Sequence, residues 1–494
     1  MKKYTLLLFL LISHITCLQA HWIQIGADID GEAINDLSGE SVSLNANGSI
    51  IAIGAIGNEG NGTFAGHVRI YENINGNWIQ IGNDIDSESA NDGFGGSVSL
   101  SDNGSILAVG ATGNDGGGMV SGHVRVFENQ SGNWMQIGND IDGESAFNSF
   151  GISISLNSNG TILAVGASRN DGNGIDSGHV RVFQNQNGNW VQIGNDIDGE
   201  AADDFFGRTV DLNSDGTILA AGAPFNDGNG VDSGHVRVFQ NQNGNWLQIG
   251  NDIDGEAAGD NFNAVSLNAD GTILAVGAQS NDGNGTASGH VRVFENINNV
   301  WSQVGNDING EAQFDNSGRP EEVKISGDGS IVAIGAVGNS GNGAFSGHVR
   351  VFQNQNSNWT QIGIDINGEA QQDFSGDAIS LSADGSVLAV GAPSNDENGV
   401  DSGHVRVFKN DNLLSVAGNK NPTLSFYPNP TQGLIYINQR NIDKVEVFDI
   451  MGRNLGLIHY QNNEIDLSGN KRGAYLLRIY TDKGVATIKA ILID

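Results

Sequence analysis

The chain is poor in cysteine, proline, basic residues and long apolar runs. Cys17 is the one cysteine in 494 residues, which excludes an intrachain disulfide. Only 23 Lys and Arg stand against 57 Asp and Glu, a formal charge of −34. That shortage excludes nucleic acid and anionic lipid as partners. The apolar run at Leu6–Ile12 follows Lys2 and Lys3 and leads into Cys17-Leu-Gln-Ala20. It is too short to cross a bilayer and has the build of a secretory signal peptide over residues 1–20. Membrane insertion is therefore not expected. Cleavage after Ala20 would leave an exported chain without any cysteine, so packing, or packing with metal, must stabilise it. Also missing are H-E-x-x-H, G-x-S-x-G and a phosphate-binding loop. No catalytic constellation surfaces, and the chain is expected not to be an enzyme.

What is present is repetition. Trp recurs at 22, 78, 134, 190, 246, 301 and 359, each opening a W-x-Q-[IV]-G segment. Gly-His-Val-Arg also occurs seven times, with His at 67, 123, 179, 235, 290, 348 and 404. A unit of about 56 residues, written in short apolar runs and Gly/Asn/Asp turns, reads as one propeller blade. In the third repeat the expected strands are 153–156, 161–167, 179–183 and 190–194. Asn159-Gly160 reads there as a type I′ turn. The chain opens on a lone fourth strand at 22–26, and its last repeat ends on a third strand at 404–408, so the N-terminal strand can complete the seventh blade. The expectation is an all-β chain: a closed seven-bladed β-propeller of four-stranded blades over residues 21–410, a linker at 411–423, and a small β-sandwich over 424–494.

Charge follows the same division. Residues 21–412 hold 50 acidic and 12 basic side chains, whereas residues 413–494 hold 7 and 9. Strand direction places the loops between second and third strands on the same face as the links between blades. Both kinds are carboxylate-rich, as in 170–176 and 195–200, so one face of the disc is acidic and is the expected functional face.

Phe94-Gly95, Ser105-Ile-Leu-Ala-Val-Gly-Ala111 and Gly122-His-Val-Arg-Val-Phe127 together resemble the FG-GAP repeats of integrin-α-like propellers. Phe-Gly recurs at 150–151 and 206–207, and Gly-Ala-Pro stands at 222–224 and 391–393. The likeness spans residues 22–408 and implies a binding or adhesion module. The calcium loop of that family lies between first and second strands. Here that link is a tight turn such as Ala269-Asp-Gly271, so the family's calcium sites do not transfer. Further on, Phe426-Tyr-Pro-Asn-Pro-Thr-Gln-Gly433 and the strands after it resemble the C-terminal sorting domain of the type IX secretion system. Tyr427, Pro428, Asn429, Pro430, Thr431 and Gly433 match its opening motif. That resemblance implies the secretion machinery as a partner, and release from, or attachment to, the surface of a Gram-negative bacterium.

Candidate sites are few. The His/Arg ladder, such as His235 and Arg237, reads as a structural network between blades, its Arg paired with a loop carboxylate. The Trp set reads as cover for the blade edge. Three loops carry D-x-N-x-x-D: Asp171, Asn173 and Asp176; Asp227, Asn229 and Asp232; Asp396, Asn398 and Asp401. Hard oxygen ligands at this spacing suit Ca²⁺, although Asp and Asn also make such turns unaided. The other four blades have Phe64, Val120, Ala287 and Phe345 at the third position. Blade six is irregular at Gly318-Arg-Pro-Glu-Glu-Val-Lys324, which reads as decay of the repeat or as a specific site. The expected function is a monomeric, exported binding or adhesion module for an extracellular protein or carbohydrate. The alternatives are a polysaccharide-active glycosidase or lyase, which should show a polar cluster breaking symmetry at the channel mouth, and a structural surface spacer.

Overall fold

In the computed structural model, residues 22–410 are described throughout, together with 426–427, 431, 433–437, 442–449, 454–458, 460–461, 464–468, 471–481 and 484–492. The expected signal peptide over 1–20, the expected linker over 411–423, and Pro428, Asn429 and Pro430 of the sorting motif lie outside the described residues. The chain divides between Leu414 and Ser415 into two compact units.

Seven antiparallel sheets build the first unit. Blade three consists of Phe150–Leu156, Ile162–Ala167, His179–Gln186 and Asn189–Gln192, paired in order. The second strand is the apolar run Ile162-Leu-Ala-Val-Gly-Ala167, covered on both faces, with Leu163, Ala164, Val165 and Ala167 wholly buried. Each sheet also holds a fifth strand that the repeat does not announce. Ile197–Asp198 leaves the link between blades and pairs with His179 and Val180. The cause is a break in the outer strand. Gly194 takes φ +84°, which turns the chain outward before it rejoins the same third strand.

One turn assignment needs correction. Asn159-Gly160 is not type I′, because only Gly160 has positive φ and its N–H bonds the Asn157 carbonyl at 2.9 Å. It closes a type I turn with a left-handed glycine. The type I′ geometry, with both central residues at positive φ, belongs to the outer hairpins, as at Asn187 (φ +56°) and Gly188 (φ +88°).

The ring closes as the phase of the repeats predicts. Ile23–Gln24 and Ile29–Asp30 both pair with His404–Lys409, the third strand of blade seven. Closure leaves no blade with an open edge toward a neighbour, and three sevenfold sets of bonds run across it. At the hairpins between first and second strands, Ala46 N–H bonds Asp102 O, Asp102 bonds Ser158, and so on through Ser214, Ala269, Gly327 and Ala383 back to Ala46, at 2.8–3.0 Å. Strands so joined lie about 4.8 Å apart, so this collar has a radius of about 5.5 Å. In the body of the disc each ladder Arg reaches back to the preceding blade, as Arg237 does to Asp198 O at 2.6 Å. At the rim each Trp indole does the same, from Trp78 to Ile25 O at 2.9 Å through Trp22 to Ile362 O at 3.3 Å.

In the second unit, two four-stranded antiparallel sheets are present. One comprises Phe426–Tyr427, Leu434–Ile437, Glu464–Asp466 and Tyr460–Gln461. The other comprises Asn454–Ile458, Ile442–Asp449, Gly473–Thr481 and Gly484–Leu492. Ile435 and Ile465 of one sheet, and Val445, Val447, Leu477 and Ile479 of the other, are buried, the pattern of a small sandwich.

Candidate functional site

The innermost strands surround a funnel of about 750 Å³ whose wall takes residues from all seven blades. It opens on the face of the acidic loops. In blade four the chain runs from Phe205 and Arg208 of the wall into the first strand, Thr209–Leu212.

Position by position, the wall is where the repeats differ. The residue following the Phe-Gly or Ser-Gly pair that opens each first strand is Glu40, Gly96, Ile152, Arg208, Arg319 and Asp377 in blades one to four, six and seven. Asn263 fills the corresponding place in blade five. Blade six, whose sequence suggested decay, supplies Arg319, Pro320 and Glu321 to the wall. Sequence reading passed over this column because it sits between two invariant elements. Laying the seven repeats against one another and asking where charge varies would have found it.

Three residues deeper lies a belt of hydroxyls. Ser43, Ser99, Ser155, Ser266 and Ser380 each accept a main-chain N–H from the next blade at 2.9–3.1 Å. In blade four the belt residue is Asp211, which accepts Leu267 N–H at 2.7 Å and the Ser155 hydroxyl at 3.0 Å. Burial lifts its carboxyl to about 6. In blade six it is Lys324, which has no lone pair to offer and pairs with Glu321 at 3.1 Å.

Electrostatics at the mouth follow from burial. Glu40 is raised to about 7, first by desolvation and then by Asp377, against the pull of Arg319 and Arg208. Asp377 is also raised by burial although it meets Arg319 at 3.0 Å. Glu322 is wholly buried behind Arg319, 3.7 Å away, and desolvation drives its carboxyl well above the usual range. Arg208 is lowered by desolvation, against the pull of Glu321 and Glu40, with its neighbours Arg319 and Arg169 adding to the lowering. On this side the wall is also aromatic: Phe205 and Phe225 meet edge to face at 5.2 Å, and Arg169 lies 5.8 Å over Phe205.

The loop residues singled out from the sequence sit on the rim of the same face and are engaged in shaping it. Asp171 accepts Asp176 N–H at 2.9 Å, while Asn173 donates its amide to the carbonyls of Gly199 and Glu200. Asp227, Asn229 and Asp232 repeat this, as do Asp396, Asn398 and Asp401, with Asn398 donating to Gly31 O. The third position is left-handed in all seven blades, from Ala287 at φ +48° to Phe345 at φ +58°. Asp tolerates that conformation better than most residues. The main-chain bond forms equally at Val120 and Ala287, which carry no ligand atom.

Other groups that could hold a cation are carboxylate–imidazole trios between blades, such as Glu88, His123 and Asp140, with ligand atoms within 4.8 Å of one another. A cation is already present there. Arg125 lies 3.8 Å from Glu88 and is sandwiched 4.3 Å from Phe94 and 5.4 Å from Phe127. The ladder Arg thus finds its loop carboxylate, as its burial requires.

In the second unit, Thr431 of the sorting motif is buried, donates its hydroxyl to Leu434 O at 2.6 Å and accepts Gly433 N–H at 3.0 Å. Gly433 O then receives Leu467 N–H at 2.7 Å. Tyr427 lies in a strand that pairs with Tyr436.

Residues 425–494 match the family model of the secretion system C-terminal sorting domain. The chain is therefore cargo of such a system, exported to the surface or the surroundings of a Gram-negative bacterium. No curated protein matches it. Among solved structures it is similar to a putative 6-phosphogluconolactonase from Bacteroides uniformis, at 12% identity over 69% of this chain and 88% of that one, TM-score 0.48. It is also similar to hydrazine synthase of Kuenenia stuttgartiensis, at 13% over 78% and 97%, TM-score 0.49. A third is a periplasmic gluconolactonase of Pseudomonas aeruginosa, at 17% over 72% and 96%, TM-score 0.47.

Proposed function

We propose that this exported propeller is a binding module whose ligand enters the central funnel, the sorting domain serving delivery and the sevenfold scaffold serving rigidity. One observation carries the reading. Of the twelve basic side chains in residues 21–412, seven are ladder arginines and Lys409 lies at the end of a strand in blade seven. The other four are Arg169, Arg208, Arg319 and Lys324. The first three line the funnel, and Lys324 is bonded to Glu321 of its wall. A chain that spends its cations so sparingly, and departs from its own repeat where they stand, has a concave, mixed polar and apolar site there.

A hydrolytic reading has one observation behind it, the Glu40 carboxyl poised near neutrality beside Asp377. Asp377, however, is tied to Arg319, and a general acid needs a free partner to act as base or nucleophile.

Gly96 offers the test. Its φ lies outside the left-handed region, and an added Cβ meets only Gly93 O at 3.3 Å and Ile56 Cγ2 at 3.7 Å. Gly96→Trp therefore plugs the funnel at small cost to the scaffold. Soluble glycans that bind the full chain in an array are expected to lose binding to Gly96→Trp while its Tm changes little. Unchanged glycan binding would remove the funnel from the function.

A further inference from the structure

We infer that the funnel recognises a ligand through a carboxylate, as on an acidic sugar or a small organic acid, and that Arg208 is the residue that meets it. This rests on the funnel being the binding site. Among the cations at the wall, only Arg208 has neither an ion pair nor an aromatic ring beside it among the described residues. Arg319 holds Asp377 at 3.0 Å, and Lys324 holds Glu321 at 3.1 Å. Arg169 lies over the Phe205 ring. The Arg208 guanidinium lines the cavity and makes no hydrogen bond or ion pair among the described residues.

Burial disfavours the charge of this guanidinium and Arg319 and Arg169 add to that, while Glu321 and Glu40 pull the other way without forming an ion pair with it. An anion arriving there offsets the burial and the repulsion. The planar guanidinium fits a carboxylate through two parallel N–H···O bonds. A doubly charged phosphate fits less well, because Glu40, Asp377 and Glu321 share the wall and the propeller as a whole is strongly acidic. Phe225, Pro224 and Ile152 supply an apolar flank against which the ring or chain bearing the carboxylate can lie.

The test uses the full chain and calorimetric titration with D-galacturonate, its neutral methyl ester, acetate and inorganic phosphate. Galacturonate is expected to bind saturably, with the ester and phosphate weaker by about tenfold or more, the loss that follows removal of a charge-assisted hydrogen bond. Arg208→Gln should lose a similar factor and Arg208→Lys regain part of it, with unchanged Tm in both. Should Arg208→Gln fail to fold, Arg169→Gln gives the second reading, with a smaller loss of the same sign. Acetate binding as tightly as galacturonate supports the carboxylate and assigns the ligand to small organic acids. Equal affinity for the ester, unchanged affinity in Arg208→Gln, or no saturable binding of either carboxylate up to about 10 mM overturns the inference. If binding is lost in Gly96→Trp yet kept in Arg208→Gln, the funnel stands and the anion does not. Binding kept in both removes the two together.

Discussion

At the scale of the residue, one column of the repeat separates scaffold from site. Ser41, Ser97 and Ser153, one place beyond it, each hydrogen-bond the main chain of the next blade, whereas Glu40, Arg208, Arg319 and Asp377 differ in sign around the funnel. Glu40 has a consequence that can be measured. Its ordinary value of 4.5 is lifted to about 7 by burial and by Asp377, with Arg319 and Arg208 opposing. Below pH 7 it is neutral, and above pH 7 it adds a negative charge to the wall. Affinity for a carboxylate ligand is therefore expected to fall as pH rises through 7, and Glu40→Gln to flatten that fall. A galacturonate titration at pH 6 and pH 8 reads both, and an equal pH dependence in Glu40→Gln would assign it to another group. Asp176, Asp232 and Asp401, which the sequence offers as calcium ligands, each occupy a left-handed backbone position that Val120 and Phe345 also occupy.

At the scale of the element, the blade is fixed by close approach as much as by apolar alternation. Gly166, on the second strand of blade three, faces the next blade so closely that an added Cβ would lie 2.0 Å from Gly207 O. Its φ is not left-handed, so the cost of Gly166→Ala is steric alone, and main chain cannot yield as a side-chain tip can. A loss of about 1–3 kcal/mol is expected, read as a lower denaturant midpoint with unchanged slope. A loss below about 0.5 kcal/mol would mean that the blades can slide apart at this contact. The fifth strand belongs to the same scale. Ile-Asp dipeptides at 85–86, 141–142 and 197–198 read as loop because they are short and follow a glycine, and only pairing with the distant third strand makes them strand.

At the scale of the whole molecule, sevenfold closure turns small local terms into a collective one. Each ladder His is about 1% exposed, and burial lowers its pKa, to about 4 at His179, His235, His290, His348 and His404, with His67 and His123 lowered likewise. A folded value below the ordinary 6.5 means that the unfolded chain takes up protons first. The stability these residues contribute is present above pH 6.5 and is lost as pH falls from 6.5 toward 4. A shift of this size corresponds to roughly 3 kcal/mol per site. The buried carboxyls of Glu40, Asp211, Glu322 and Asp377, raised in the folded state, work the other way as pH falls. They are four against seven imidazoles, however, and the remaining carboxylates are largely exposed and screened. Tm is expected to fall steeply between pH 6.5 and 4.5, and less steeply in His235→Asn. A flat Tm over that interval would contradict it.

Fold class, blade number, the closing role of the N-terminal strand and the sorting domain were all legible from the chain, because periodic apolar runs, glycine turns and a short specific motif are local signals written many times over. The funnel was not legible in the same way. Glu40, Arg208, Arg319 and Asp377 stand more than fifty residues apart, each a single departure within its own repeat, and only ring closure brings them to one wall. Burial then decided their chemistry, since desolvation and neighbouring charge, not sequence position, hold Glu40 near neutrality and leave Arg208 as the wall cation with neither an ion pair nor an aromatic ring beside it.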